Sequence, residues 1–205
     1  MSSQYLEHIS FLVVEDNLFA RELVREILKV LGARRIDFAR SGQEGYNKFK
    51  ESPADVILLD WQMNPVDGIQ FTRQVRKASD SPNPYVPIIM MTGFADRIHV
   101  FKARDTGVTE YLIKPFSARA LFNRIQAVIE RPRRFVRIGQ YFGPDRRRQE
   151  KEHLGADRRG AAAKAAAAAT PAPSKEMGQD EINALFNPDE EVAPKDTGKT
   201  PVKKR

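Results

Sequence analysis

The chain has 205 residues, 41% of them hydrophobic and 30% charged, which is enough for one good core with a long appendage or for two small domains. It holds no cysteine, so a disulfide scaffold and any thiolate metal site are excluded. The formal net charge of +7 is local: residues 1–130 hold 17 Lys+Arg against 16 Asp+Glu, residues 131–160 hold 10 against 4, and residues 161–205 hold 7 against 7. The basic surplus therefore belongs to one thirty-residue stretch and carries no information about what comes before it.

No apolar run reaches the roughly 18 residues of a membrane span, and Met1 to Tyr5 lacks the charged and apolar regions of a signal peptide. A cytoplasmic location is expected.

In chain order, Phe11-Leu12-Val13-Val14 reads as a buried strand running into Glu15-Asp16. Asn17 can cap a helix carrying Leu23, Val24, Ile27, Leu28 and Leu31 on one face, closed by Gly32. A short strand around Ile36–Ala39 follows, and Ser41-Gly42-Gln43-Glu44 has the capping-box spacing for a helix to about Glu51. Val56–Leu59 runs into Asp60, and Gly68 to Lys77 is helical. Pro82, Pro84 and Pro87 mark the loop into Ile88–Met91, which ends on Thr92. A helix from about Arg97 ends near Gly107. Glu110–Ile113 is the fifth strand, followed by Lys114-Pro115 and a last helix with Leu121, Phe122, Ile125, Val128 and Ile129. Five β/α units with right-handed crossovers give an α/β fold, a doubly wound five-stranded parallel sheet over residues 8–130.

Ligands on such sheets gather at the strands' carboxyl ends. Here those ends carry Glu15, Asp16 and Asp60, a hard-oxygen set suited to magnesium (Mg2+), together with the hydroxyl of Thr92 and the ammonium of Lys114. Asp60 is placed as a carboxylate nucleophile, and Lys114 can neutralise charge on a phosphoryl group.

The acid pair Glu15-Asp16, the acceptor Asp60 in the run Asp60 to Gly68, Thr92, and Tyr111 three residues before Lys114-Pro115-Phe116 resemble the receiver domain of two-component response regulators, within it the CheY-like group. The resemblance implies a flavodoxin-like fold. It implies phosphorylation of Asp60 by a histidine kinase or phosphotransfer protein, with Glu15, Asp16, Asp60 and the backbone carbonyl of Gln62 as magnesium ligands. Thr92 and Lys114 become catalytic partners and Tyr111 a switch. It further implies a phosphoacceptor signalling protein rather than an enzyme acting on an external substrate, with chemotaxis or motility as output. The loop departs from the family in having Asn64 between Met63 and Pro65. Haloacid-dehalogenase-type phosphatases also phosphorylate a strand-end Asp, but they use a second Asp two residues on, where this chain has Gln62. A dinucleotide-binding domain would need Gly-x-Gly-x-x-Gly where this chain has Glu15-Asp16-Asn17.

Beyond residue 130 the composition changes. Residues 131–160 form an arginine-rich extension, residues 161–175 an Ala/Pro linker, and residues 176–205 a polar tail, all expected to be largely disordered for want of apolar surface. Arg133, Arg134, Arg137, Arg146, Arg147, Arg148, Arg158 and Arg159 are candidate anion- or nucleotide-binding residues, since guanidinium groups fork onto phosphate and onto guanine. The segment resembles the arginine-rich tails of motility regulators that bind cyclic di-GMP, with nucleic acid as the rival ligand. Within the tail, residues 179–187 read as a short helix with Ile182, Leu185 and Phe186 at i, i+3 and i+4, acids at its start and Asn187-Pro188 at its end. This motif resembles the peptide of the flagellar switch protein FliM that the CheY-like group binds. A helix so short is marginal alone and needs a partner groove.

Overall fold

The computed structural model describes residues 6–146 and 176–187. Its centre is a parallel sheet of β1 (Ser10–Val14), β2 (Arg35–Ala39), β3 (Val56–Asp60), β4 (Ile88–Thr92) and β5 (Glu110–Ile113), in the order β2-β1-β3-β4-β5. Five helices connect and follow them: α1 (Leu18–Val30), α2 (Gly42–Glu51), α3 (Gly68–Lys77), α4 (Arg97–Thr106) and α5 (Ala118–Glu130). β3 and β4 are buried at every position, as central strands covered on both faces must be.

Alternation along the strands divides the core in two. Leu12, Val14, Ile57, Leu59, Ile88 and Met90 face the layer of Phe49, Phe71 and Val75 from α2 and α3. Phe11, Val13, Leu58, Ile89 and Met91 face Val24 and Leu28 of α1 and Leu121 and Ile125 of α5. Gly45 lets α2 lie close to β1, because a Cβ there would meet Val14 at 2.9 Å.

The helix starts follow their capping residues. Asn17 accepts from Ala20 N, Ser41 from Glu44 N and Ser117 from Ala120 N, while Asp67 and Gln70 complete a reciprocal capping box. One assignment on α1 needs correction: Leu23 is 55% exposed. Val24, Ile27 and Leu28 fill the buried stripe, and Leu23 lies one position off it, on the solvent side with Leu18 and Phe19.

Two elements follow α5, of which helical spacing predicts the second but not the first. The first is an antiparallel hairpin, β6 (Phe135–Ile138) and β7 (Tyr141–Pro144), turning on Gly139 at φ 57° and Gln140. The reading of residues 131–160 as arginine-rich extension contains no strand. The hairpin's aromatic residues pack on the loop before β4: the rings of Phe135 and Phe142 each meet the exposed Tyr85 at 5.4 Å. The backbones of Gly107 and Gly143 approach so closely that a Cβ on either would meet the other segment at 2.8 Å. The second element is α6 (Gln179–Phe186), which lies against β5, the edge of the sheet. Residues 147–175 and 188–205, with most of the linker and tail assignments, lie outside the described residues.

Candidate functional site

Because β1 and β3 are neighbours in the sheet, Glu15, Asp16 and Asp60 emerge side by side at its carboxyl edge. Carboxylate oxygens of the three lie within 4.8 Å of one another. Glu15 and Asp60 are buried, at 1% and 6% exposure, whereas Asp16 is open to solvent. Lys114 arrives from the end of β5 and donates to Glu15 Oε2 at 2.6 Å and to Asp60 Oδ1 at 2.8 Å.

The electrostatics follow from this crowding. Burial pushes the Glu15 and Asp60 carboxyls up, and the Lys114 ammonium only partly offsets it. The Lys114 ammonium is pulled down by burial but held up more strongly by its two carboxylates, so its pKa lies above the usual lysine value. The site thus concentrates negative charge, and Lys114 is the cation that bonds its buried carboxylates. Hard oxygen donors at this spacing suit a magnesium ion, which prefers a few carboxylates together with water and phosphate oxygens.

Several residues that shape this edge are invisible to motif reading. Arg21 on α1 is buried and donates from Nη1 to the carbonyl of Glu15 at 2.9 Å, fixing the turn of the acid pair. Gly68 is dictated by the acceptor loop, since a Cβ there would lie 2.3 Å from the carbonyl of Asp60. Its N–H donates to Trp61 O. Trp61 packs edge-on against Phe94 and His99, which stack on each other at 4.0 Å, and Asp96 holds His99 Nδ1. An aromatic tie therefore runs from the residue after Asp60 to the start of α4. The only sequence signal for it was the spacing of aromatic residues around two strand ends.

Thr92 is buried at the end of β4, and its Oγ1 accepts from Phe94 N. Tyr111 is turned inward, donates its hydroxyl to Phe94 O at 2.8 Å, and meets the ring of Phe186 at 5.7 Å. Burial raises its pKa far above the usual tyrosine value. Gln62 is exposed in the loop beside Asp60.

The helix α6 is fastened at both ends. At its start, Met177 N donates to Ala95 O, Gln179 Oε1 accepts from Ile113 N, and Gln179 Nε2 donates to Tyr111 O. The side-chain amide thus pairs the open edge of β5 as a neighbouring strand would. Ile182 and Phe186 are fully buried in the cluster that contains Val100, Ala103, Val108 and Tyr111, and Leu185 packs against it. At its end, Arg146 donates to Phe186 O and Arg133 to Asn187 Oδ1.

The arginine set is divided. Arg133 and Arg146 make these structural contacts, Arg134 offers its carbonyl to Asp145 N, and Arg137 lies over the ring of Phe142. Arg147, Arg148, Arg158 and Arg159 lie outside the described residues.

Comparison with known proteins matches this architecture. The model of the response regulator receiver domain family matches residues 11–126, more than half of the chain. The chain is 28% identical over 125 residues to the chemotaxis protein CheY-3 of Vibrio cholerae, covering 61% of this chain and 95% of that one. It is 34% identical over 120 residues to a probable transcriptional regulator, ycf27, of Guillardia theta, covering 58% and 45%. Among solved structures, the chemotaxis protein CheY4 of Vibrio cholerae superposes with a TM-score of 0.55 at 28% identity, covering 59% of this chain and 98% of that one. The receiver domain of the sensor histidine kinase PA1611 of Pseudomonas aeruginosa, solved with a magnesium ion in its active-site cleft, superposes with a TM-score of 0.52 at 28% identity, covering 58% and 94%. The family match ends inside α5, so the hairpin and α6 lie beyond it. By sheet order, by the acidic cluster at the sheet's carboxyl edge and by this match, the chain belongs to the response regulator receiver domain family.

Proposed function

We propose that Asp60 accepts a phosphoryl group from the phosphohistidine of a histidine kinase or phosphotransfer protein, and that the chain signals the result by protein contact. The observation that carries this reading is Lys114 Nζ bridging Glu15 and Asp60 within a cluster of three carboxylates. An Asp60 carboxylate oxygen forms the new bond to phosphorus as the bond to the donor's imidazole nitrogen breaks. The nucleophile is a carboxylate, so no separate base is required. Glu15, Asp16, Asp60 and the Gln62 carbonyl would hold the magnesium ion, which supplies positive charge to the phosphoryl oxygens when bound. Lys114 moves its hydrogen bond from Asp60 to a phosphoryl oxygen, and the Thr92 hydroxyl donates to another. Position 62 is Gln, with no carboxylate to activate water, which favours a signalling state over rapid turnover.

The Asp60→Asn variant tests the assignment. Labelling by acetyl phosphate in the presence of magnesium should vanish while the far-ultraviolet spectrum stays unchanged. Persistent labelling at the original level would place the acceptor elsewhere.

The leading output is motility control in the cytoplasm. Support comes from the similarity to chemotaxis proteins and from α6, whose Ile182, Leu185 and Phe186 resemble a flagellar switch peptide and sit on Tyr111. No helix among the described residues is long and apolar enough to cross a membrane. On this reading α6 binds more tightly once Asp60 is phosphorylated and competes with the switch peptide. A second reading is favoured by the neutral partners of Arg133 and Arg146: the extension also takes an anionic ligand, with cyclic di-GMP as the first candidate.

A further inference from the structure

Where the hairpin meets the ends of α3, α4 and α6, three arginines gather. Arg76 is 2% exposed; its Nε donates to Gly107 O at 3.0 Å, its Nη1 to Pro84 O at 2.8 Å, and its Nη2 is buried with no partner among the described residues. Arg146 donates to Phe186 O at 3.1 Å and to Val108 O, and its Nε is likewise buried without a partner among the described residues. Arg133 donates to Asp145 O and to Asn187 Oδ1. Every one of these acceptors is a neutral carbonyl or amide oxygen.

That arrangement is electrostatically incomplete. A buried charge needs a counter-charge or it carries a large desolvation cost. Burial pulls Arg76 down to about 9 and Arg146 to about 10, and each lies in the repulsive field of another arginine. The nearby carboxylate of Glu110 is already engaged by Arg124 at 3.1 Å and by Asn187 Nδ2 at 3.0 Å. A guanidinium pairs with phosphate through two parallel N–H···O bonds, which add energy and geometric specificity that a single carbonyl does not offer, so a phosphate group can displace the carbonyls that these arginines now hold. Beside the cluster lies a cavity of about 310 Å³ lined by Tyr85, Phe135, Pro132 and Arg133. Arg76 sits 5.0 Å over the Phe135 ring. Flat aromatic walls next to cations suit a planar ring attached to phosphate.

We propose that Arg76, Arg133 and Arg146, with the cavity at Tyr85 and Phe135, form a binding site for a small nucleotide, and that this ligand and α6 compete for Arg133 and Arg146. The inference rests on the reading that the extension takes an anion. It adds which arginines do so, brings in Arg76 from the receiver itself, and ties ligand occupancy to release of the helix lying over Tyr111. Competition is reciprocal by linkage: ligand occupancy weakens the docking of α6 by the same factor by which docked α6 weakens ligand binding.

The absence of native cysteine allows a clean test on the full chain. Spin labels at Ala184→Cys and Arg119→Cys, both exposed positions, report the distance from α6 to α5, while calorimetry reports affinity for cyclic di-GMP, inorganic pyrophosphate and a short single-stranded RNA. Cyclic di-GMP should bind and broaden a narrow distance distribution. Phe186→Ala, which frees the end of α6 and releases Arg146 from the ring it lies over at 4.3 Å, should tighten cyclic di-GMP binding by about threefold or more, and Arg146→Gln should weaken it by about tenfold. Binding with unchanged distances and unchanged affinity in Phe186→Ala would overturn the competition while leaving the anion reading intact. Failure of all three probes to bind would remove both. Pyrophosphate binding as tightly as the dinucleotide would overturn the role of the aromatic cavity, and preference for RNA with a steep salt dependence would overturn the small-ligand site.

Discussion

The carboxyl edge of the sheet and the α6 surface reach their final form by different routes. At the edge, each functional group stands at the end of its own strand, and the sheet order β2-β1-β3-β4-β5 alone brings Glu15, Asp16 and Asp60 together. At the α6 surface, nothing local creates the site. A helix of 8 residues, far too short to be stable by itself, is held by Gln179 on the β5 edge, by Ile182 and Phe186 in the receiver core, and by two arginines from the extension. Topology delivers the first; only long-range packing delivers the second. The two meet at the loop after β4, where Phe94 O accepts from Tyr111 and Ala95 O from Met177.

This difference can be broken from the α6 side with the largest effect. Truncating a buried aromatic residue costs about 3–5 kcal/mol, so Phe186→Ala should undock α6 while the receiver keeps its fold. Hydrogen exchange at the amides of 182–187 should accelerate by about a hundredfold or more, with the amides of β3 and β4 unchanged. A matching loss of protection in β3 would mean that α6 is part of the receiver's own cooperative unit.

Overpacking the hairpin seam comes next. A Cβ at Gly143 would lie 2.8 Å from the Gly107 backbone, which has little room to yield, so Gly143→Ala should cost about 1–3 kcal/mol. The expected signature is loss of the hairpin's cross-strand nuclear Overhauser contacts between Val136 and Gly143 with the parallel sheet retained. A smaller effect should mark the receiver alone: Ser41→Ala removes the cap on Glu44 N, costs about 1 kcal/mol and lowers the midpoint of global urea unfolding without moving α6.

The smallest effect is a pH dependence of the acidic edge. Glu15 and Asp60 have folded-state pKa values above their ordinary ones, so between the two values the folded protein holds more protons than the unfolded chain. Stability contributed by these groups therefore falls as pH rises from about 4 through that window. In chelator, Asp60→Asn should melt above the unsubstituted protein at pH 7, and the gap should close as pH drops through the carboxylate range. A gap that widens toward acid pH would contradict the assigned cause.

How much of this could be read from the residues alone follows the same division. The strand runs that end on Asp60, Thr92 and Lys114 are short, apolar and bounded by turn signals, so their bounds and chemistry were legible. Gly68 to Lys77 and Glu110–Ile113 coincide with the observed α3 and β5. Leu23 was misplaced because an apolar residue on a helix need not lie on its buried stripe. The hairpin was hidden because Gly143 and Pro144 end its second strand and arginine punctuates its first, although Gly139-Gln140 between two aromatic runs was a turn signal. Arg21 and Arg76 were not legible at all, and the stack of Trp61, Phe94 and His99 left only the spacing of aromatic residues around two strand ends. Their roles depend on contacts between residues that are distant in the chain or carry no motif. The 179–187 motif was legible as a helix seeking a groove, but the groove itself needed the fold.

The claim that the two regions form one device is tested most directly by hydrogen exchange of the full chain with magnesium, with and without beryllofluoride as the phosphoryl mimic. Exchange at the amides of 182–187 should slow when the mimic occupies the Asp60 edge, because Thr92 and Phe94 then tighten the inward position of Tyr111 beneath Phe186, and Asp60→Asn should erase the difference. Identical exchange rates in α6 with and without the mimic, while amides around Asp60 respond, would show that the helix is deaf to the Asp60 site.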